Sequence, residues 1–277
     1  MDLPNTNKQE ASLLTLPAEI RAVILDYVFE DNTATDGLER LSSQDGTTNA
    51  LLDGNYSVSP KMAPLFVCRL LYRDACLLAM SRTTFVASSL FCDIPEQLGV
   101  LCPRQTKALR SITFVADARH FRKLLAWGEY PFGIPELCLD TVTIILHRSS
   151  YFHYLYDFTT DITKLLRQLK NVNRLVFVQN NARVKGSFLG WYNRLVARIL
   201  KTDHYERYDI SPPNPEERWW QWSFDHHGQT CCLRAGPAKP IMAEEEYMEW
   251  LKPLHLELMA SVENEPYNPD PRVRNGA

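Results

Sequence analysis

The chain has 277 residues and a hydrophobic content of 45%, enough to bury a substantial core in one or two domains. A net charge of −3 provides no general attraction to nucleic acid or to anionic lipid, so we expect neither a nucleic-acid partner nor a membrane partner. The first ten residues are polar, and no apolar run approaches the roughly 18–20 residues that span a bilayer. We therefore expect a soluble protein of the cytoplasm or the nucleus.

Cysteine content and short motifs predict no cofactor and no metal. The seven cysteines are odd in number and scattered through apolar segments, which favours buried thiols over a disulfide framework. His226, His227, Cys231 and Cys232 come nearest to a metal-binding set, but zinc ligands usually come in pairs a few residues apart. On a strand, Cys231 and Cys232 point to opposite faces. No glycine-rich phosphate-binding motif is present.

The first predicted element is a helix over residues 17–29. Residues 1–11 lack periodicity and are expected to be disordered. Pro17 suits the first helical position, where no N–H is needed, and Glu19 suits the positive end of the helix dipole. Apolar side chains recur at three- and four-residue steps, so we expect them to pack on another helix. They are Ile20, Val23, Ile24, Tyr27 and Val28.

A long polar loop is predicted next, over residues 31–60, as an insertion between two helices that pack together. Leu51 and Leu52 are compatible with a short turn or strand inside it. A second helix is predicted over residues 61–81, with its apolar face toward the first helix. That face comprises Leu65, Cys68, Tyr72, Ala75 and Ala79.

The middle of the chain alternates between strand and helix patterns. The predicted strands cover residues 83–88, 109–116, 141–147 and 174–179. The predicted helices cover residues 95–101, 118–127 and 161–169. The last three strands begin about thirty residues apart, a spacing typical of β-α-β crossovers. We therefore predict an α/β fold with a small parallel sheet that resembles an irregular leucine-rich-repeat arc, with an α+β fold as the alternative.

The C-terminal part is predicted to form a helix, a β-hairpin and a last helix. The helices cover residues 188–200 and 244–260, and the second is interrupted or bent near Pro253. The hairpin strands, residues 218–224 and 229–234, flank a His-His-Gly turn. The polar residues 263–277 are expected to form a disordered tail.

Trp219 is the candidate recognition residue of the hairpin. On a strand, Trp220 and Trp222 share one face, which suits the core, while Trp219 lies on the other. Trp is enriched among the residues that dominate binding at protein interfaces, so Trp219 is a candidate partner contact. The alternative is that these aromatic residues pack against the last helix, where Tyr247 and Trp250 can meet them.

Two motifs in the N-terminal third resemble the F-box-like domain of many filamentous-fungal proteins. One is a Leu-Pro-x-Glu-Ile-Arg-x-x-Ile segment, and the other is a Val-Cys-Arg-x-x-Tyr-x-x-Ala helix followed by a Thr-Phe strand. The matching residues are Leu16, Pro17, Glu19, Ile20, Arg21, Ile24, Val28, Val67, Cys68, Arg69, Tyr72, Ala75, Thr84 and Phe85. The chain differs from the usual family pattern at Leu25, Leu70 and Asp74. The resemblance implies an F-box-like helical unit over residues 12–90, which leaves residues 91–262 as the α/β body.

The same resemblance implies a function. Ordinary F-box domains dock onto the small adaptor subunit of a cullin-RING ubiquitin ligase, so it implies a non-enzymatic substrate adaptor with protein partners. The body or its loops would then select the target protein. The partner-binding residues implied in this way lie on and before the first helix: Leu14, Leu16, Pro17, Arg21, Leu25 and Val28.

Two alternatives are open at the level of sequence. In the first, the F-box-like segment only packs within a single domain, and the protein has another partner or role. In the second, the protein is an enzyme of unrecognised type. A deep pocket with convergent polar groups near Asp140, His147 or His153 would favour the enzyme.

Overall fold

A six-stranded mixed sheet forms the centre of the protein. The computed structural model describes residues 12–29, 37–42, 48–148 and 155–263. The strands of the main sheet are β3 (Thr84–Ala87), β4 (Ser111–Ala116), β5 (Thr141–Leu146), β6 (Arg174–Val178), β7 (Arg218–Asp225) and β8 (Thr230–Pro237). A separate antiparallel ribbon consists of β1 (Leu38–Ser42) and β2 (Thr48–Leu52).

Nine α-helices lie within the described residues. They are α1 (Ala18–Phe29), α2 (Ser59–Met62), α3 (Arg69–Arg82), α4 (Ile94–Gly99), α5 (Pro103–Ala108), α6 (Ala118–Lys123), α7 (Thr159–Gln168), α8 (Phe188–His204) and α9 (Glu244–Glu263). The strands and helices predicted beyond residue 83 are confirmed to within a few residues. The predicted interruption of the last helix near Pro253 is wrong, because α9 runs through this residue.

The strand order of the main sheet is β3-β4-β5-β6-β8-β7. The first four strands are parallel, and β8 and β7 are antiparallel to their neighbours. The predicted α/β class and the predicted hairpin are confirmed. The hairpin extends the parallel strands, with Arg174 of β6 opposite Arg234 of β8, and so makes the sheet mixed.

One face of the main sheet is covered by helices α6 to α9. Ile112, Val142 and Leu175 lie in register across three neighbouring strands and point into this core. Farther along β6, the ring of Phe177 meets that of Trp191 in α8 edge-on, with 5.1 Å between their centroids. The alternate residues of these strands are also largely buried, on the opposite face. Strands buried on both faces appear in sequence as nearly continuous apolar runs, which is why the pattern predicted them.

The β1–β2 ribbon covers part of the opposite face of the sheet. Leu38 and Ala50 are buried there against Val115, Ile145 and Val178. Since each of these three side chains comes from a different central strand, the ribbon crosses the middle of the sheet. Its apolar side chains complete the second buried layer of the body.

Two long-range hydrogen bonds hold the ribbon in place. The amide of Ala50 donates to the carbonyl of Gly228 at 3.3 Å. The amide of Leu52 donates to Oδ1 of Asn180 at 2.9 Å. Both partners follow strands of the main sheet, so the ribbon is attached to residues far from it in sequence.

The loop prediction over residues 31–60 is wrong where the ribbon forms, although the suggested strand at Leu51 and Leu52 is confirmed. Gly37 precedes β1 with a φ of +81°, a conformation that L-residues rarely adopt. A Cβ at this position would lie 2.5 Å from Cγ2 of Val86. Glycine therefore permits both the turn into the ribbon and its close approach to the edge strand β3.

The N-terminal helices pack in a small core of their own. Its buried residues are Leu25, Phe29, Leu65, Leu71, Ala75 and Ala79. Cys76 and Met80 of α3 belong instead to the main core, so α3 links the helical unit to the body. The single helix predicted over residues 61–81 is confirmed only in part, because the chain is extended at Cys68 and α3 begins after it. Tyr72, predicted to face the first helix, is exposed.

The chain termini lie largely outside the described residues. The disorder predicted for residues 1–11 falls there, as does the predicted tail beyond residue 263. Within the described ranges, no helix is long and apolar enough to cross a membrane.

Candidate interaction surface

The solvent-facing side of α1 is apolar. Ile20, Val23, Ile24, Tyr27 and Val28 are 49%, 55%, 37%, 73% and 49% exposed, and their spacing puts them on one side of the helix. We call these five residues the α1 surface. The prediction that they pack against the next helix is therefore wrong.

The other side of α1 forms the contact with α3. Leu25 and Phe29, four residues apart, are 2% and 1% exposed. Because α1 has apolar residues on both sides, periodicity alone does not identify the inward side. The expectation that Leu25 contacts a partner is wrong, since its side chain fills the helical core.

Arg21 holds the start of α1 to α3. Its Nε and Nη2 donate to Oδ2 of Asp74 at 2.9 and 2.6 Å, and its Nη1 donates to the carbonyl of Leu16. The hydrogen bond from Arg21 lowers the pKa of Asp74, so the carboxylate stays charged. Arg21 is buried, and the expectation that it contacts a partner is wrong. It instead fixes the Leu16–Pro17 turn that precedes the helix.

The remaining partner-binding residues of the N-terminal segment are accessible to different degrees. Leu14 is 47% exposed, Pro17 is exposed, Leu16 is half-buried, and Val28 belongs to the α1 surface. Phe66 is also highly exposed, at 80%, in the short 3₁₀ turn before α3. Sequence analysis missed it because the turn was predicted as part of a continuous helix.

Trp219 is a packing residue, so its expected role as a partner contact is wrong. It is 8% exposed, and its ring meets that of Trp250 in α9 at 5.8 Å between centroids. The Nζ of Lys239 lies 3.1 Å from the centroid of the Trp219 ring, a cation–π contact. The alternative of packing against the last helix is confirmed for Trp219.

A buried charge cluster surrounds Lys239, and sequence analysis missed it. Lys239 Nζ lies 2.7 Å from Asp203 Oδ2 and 3.0 Å from Glu216 Oε1. Arg207 Nη2 donates to both carboxylate oxygens of Glu216 at 2.8 Å. The hydroxyl of Tyr247 donates to Asp203. All five residues are buried, and they connect α8, the turn after it, the segments before β7 and after β8, and α9.

The pKa values of the two carboxyl groups in the cluster are shifted in opposite directions. Burial raises the pKa of Asp203, as does its hydrogen bond with Glu216. Burial on its own would also raise the pKa of Glu216, but its hydrogen bond with Asp203 and the charge of Lys239 lower it from 4.5 to about 2. Glu216 therefore remains the permanent counter-charge, so the cluster has a structural role in joining the C-terminal elements.

The candidate residues for a catalytic pocket do not converge. Asp140 and His147 lie at opposite ends of β5, roughly 20 Å apart at the rise of an extended strand. His153 lies outside the described residues. The structure therefore does not combine Asp140 and His147 in one site.

Asp140 instead borders a polar groove of about 480 Å³. Arg174, Arg234 and Cys232 also line it, on the part of the sheet that the ribbon leaves open. Burial raises the pKa of Cys232, which keeps the thiol protonated and poorly nucleophilic. The groove is a polar surface without an activated nucleophile among these residues.

The hairpin cysteines lie on opposite faces of β8, as predicted. Cys231 is fully buried in the main core, whereas Cys232 faces the polar groove. No three or more His, Cys, Asp or Glu residues of the described ranges are grouped to hold a metal ion. All seven cysteines are described, and all are free thiols. The expected burial is confirmed for Cys76 and Cys231 and is wrong for Cys102, which is exposed.

Comparisons with known proteins found no similar protein. No protein-family model, no curated protein and no solved structure matches the chain. The α1 surface is thus the main geometric basis for a functional proposal. It is an exposed apolar face on a helix that buried contacts hold in place.

Proposed function

We propose that the protein is a non-enzymatic substrate adaptor of a cullin-RING ubiquitin ligase. In this proposal the α1 surface binds the small adaptor subunit of the ligase, and the α/β body holds a target protein. The observation that carries the proposal is the exposed apolar side of α1 within a segment that resembles an F-box-like domain. The proposal implies a cytoplasmic or nuclear location, where such ligases act.

The size of the α1 surface supports a protein partner. Its five side chains expose roughly 500 Å² of mainly apolar area, in the range of the largest apolar patch on a typical monomer, which is often functional. Tyr27 contributes most, since it is 73% exposed and combines a large ring with a polar hydroxyl. Aromatic side chains of this kind are enriched among the residues that dominate protein interfaces.

The anchoring of α1 supports a preformed surface. Leu25 and Phe29 hold the inner side of the helix in the core, and the ion pair of Arg21 with Asp74 holds its first turn. Near the other end, Arg82 donates to both oxygens of Asp26, at 2.9 and 3.1 Å. A helix fixed at both ends loses little conformational entropy on binding, which favours affinity.

The link between the helical unit and the body supports an adaptor role. One side of α3 packs on α1, and the other side supplies Cys76 and Met80 to the main core. A partner on the α1 surface and a target on the body would thus be held by a shared helix. In the same proposal the body is an irregular leucine-rich-repeat-like arc.

Direct binding tests the proposal. The purified full chain is titrated with the ligase adaptor subunit by calorimetry, and Val23→Ser/Tyr27→Ser is compared with the wild type. Both positions are exposed, so the variant should keep its circular dichroism spectrum and melting temperature. We expect binding by the wild type and a loss of affinity of about tenfold or more in the variant, as for truncated hot-spot residues.

A matched control removes apolar groups elsewhere. Val100→Ser/Ile241→Ser changes two residues that are 85% and 90% exposed and do not belong to α1. This variant should bind like the wild type. The proposal fails if folded wild type does not bind the adaptor subunit, or if the α1 variant binds as tightly as the control.

A further inference from the structure

A cavity of the α/β body lies at the carboxyl ends of β3 and β4. Its volume is about 560 Å³, within the range of small-molecule sites. The segment after β3, residues 90–95, forms one wall, and α6 with the turn after it forms another. Ligands of open α/β sheets bind at this end of the strands. No lining residue belongs to α1, so the site is independent of the proposed adaptor contact.

Three aromatic rings form the inner wall of this aromatic cavity. Phe132 lies 4.5 Å from Trp127 and 5.7 Å from Phe114 between ring centroids. Phe132 has a φ of +56°, a conformation that is uncommon for a bulky residue and that requires support from its surroundings. All three rings line the cavity and make its inner wall apolar, which suits a ring of a ligand.

Phe91 lies at the mouth of the cavity. It is 86% exposed, although its side chain is large and apolar. The guanidinium of Arg119 is 5.6 Å from the centroid of the Phe91 ring. The mouth therefore combines an exposed aromatic ring with positive charge.

The carboxylates near the cavity already have partners. Asp117 caps α6 and pairs with Arg119 at 2.7 Å and with His120 at 2.8 Å. Burial alone would raise the pKa of Asp117, but the hydrogen bonds from Arg119 and His120 hold it well below its usual range. Asp93 accepts a hydrogen bond from the amide of Glu96 at the start of α4.

Lys123 is a positively charged residue of the cavity lining that has no ion-pair partner among the described residues. It lines the cavity, is exposed, and forms no ion pair or hydrogen bond with the described residues. Neither Asp93 nor Asp117 forms an ion pair with Lys123, so its ammonium group is available to a ligand. A negatively charged group at the mouth would form a charge-assisted hydrogen bond with it.

We propose that the aromatic cavity binds a small monoanion that joins an aromatic ring to a carboxylate. The ring lies against Phe114, Trp127 and Phe132, and the carboxylate pairs with Lys123. Charge complementarity and the aromatic wall select this class over a neutral apolar molecule and over a polar anion without a ring. The site is a ligand-binding site of the body and requires no chemical step.

The test uses 2-naphthoate and its uncharged amide, 2-naphthamide, as a matched pair of probes. Each is titrated into the purified full chain, and binding is followed by calorimetry and by the change in protein tryptophan fluorescence. We expect saturable binding of 2-naphthoate and binding of the amide that is about tenfold weaker, the factor that one charge-assisted hydrogen bond contributes.

Two variants and one control locate the binding. Lys123→Met should weaken 2-naphthoate about tenfold and leave the amide unchanged. Ala126→Trp, at an exposed position of the cavity wall, should abolish binding of both probes by filling the space. Lys107→Met, which removes an exposed lysine that does not line the cavity, should change neither.

Several results would overturn the assignment. Absence of saturable 2-naphthoate binding to the folded wild type would exclude the site. Equal affinity for the two probes would exclude the carboxylate preference, and full binding by a folded Ala126→Trp variant would place the ligand elsewhere. None of these results depends on the ligase adaptor, so they are distinguishable from a failure of the proposed function.

Discussion

The buried charge cluster makes Glu216→Gln a sharp test of the C-terminal architecture. The substitution preserves size and shape but removes the charge that faces Arg207 and Lys239. The pKa of Glu216 falls from 4.5 to about 2 in the folded protein. At about 1.4 kcal/mol for each tenfold change in proton affinity, this fall corresponds to about 3 kcal/mol of folding stability at neutral pH. Removing one partner of a buried ion pair in other proteins costs about 3–5 kcal/mol, which agrees with this value.

The direction of the pKa shift determines how the stability difference between variant and wild type changes with pH. Since the folded pKa of Glu216 lies below the unfolded value, its contribution is complete above pH 4.5 and is lost as the pH falls toward 2. The variant should therefore be less stable than the wild type by about 3 kcal/mol at pH 7, and the difference should shrink below pH 4.5. Burial and the hydrogen bond with Glu216 raise the pKa of Asp203, so the difference reports the two carboxyl groups together.

Urea denaturation at several pH values measures this difference. Tryptophan fluorescence reports the transition, because Trp219 and Trp220 pack beside the cluster. At pH 7 we also expect a melting temperature lower by roughly 10 °C. Glu217→Gln is the control, since this side chain is 75% exposed and lies 3.7 Å from Lys170, so its change should stay below about 0.5 kcal/mol. Equal effects of the two variants, or a difference that is constant from pH 7 to pH 3, would refute the role assigned to Glu216.

Two further substitutions test the N-terminal packing. Leu25→Ala should destabilise the helical core by about 3 kcal/mol, because it removes a side chain that is only 2% exposed. Ile24→Ala, at a 37% exposed position, should cost much less. Equal losses of stability in denaturation experiments would contradict the assignment of the inner side of α1. Gly37→Ala should cost about 1–3 kcal/mol and speed amide exchange in the ribbon, because the new Cβ meets Val86 at a positive φ. Gly99→Ala is the control, because a Cβ there would meet no neighbouring atom within 4 Å, and amide exchange in the ribbon should not change. Unchanged exchange in the Gly37 variant would show that the close approach to Val86 is unimportant.

The main sheet was predictable because its central strands are buried on both faces. Residues 111–116 and 141–146 are apolar or β-branched almost throughout, a pattern that few other structures produce. The position of the hairpin beside β6 was not predictable, because strand pairing depends on contacts distant in sequence. The ribbon was missed since each of its strands has only five residues in a polar segment.

The candidate sites were harder to predict than the strands. In α1, apolar residues occur on both sides, and the choice between them depends on Arg21 reaching Asp74, 53 residues away. The charge cluster has no sequence pattern, because Asp203, Glu216, Lys239 and Tyr247 come from separate elements. That Lys123 pairs with no side chain of the described ranges could not be predicted either, because ion pairing depends on which residues the fold brings together.

The placement of the ribbon has a consequence for synthesis on the ribosome. Leu38 and Ala50 leave the ribosome early, but the strands that bury them include β6, and Ala50 also pairs with Gly228. At translation rates of about 5–20 residues per second, the ribbon waits roughly 10–35 s for residue 228 to be made. During that interval the contacts of the ribbon are incomplete, and the amide of Ala50 lacks its partner, the carbonyl of Gly228. The ribbon therefore reaches its final contacts only after the C-terminal hairpin has been made.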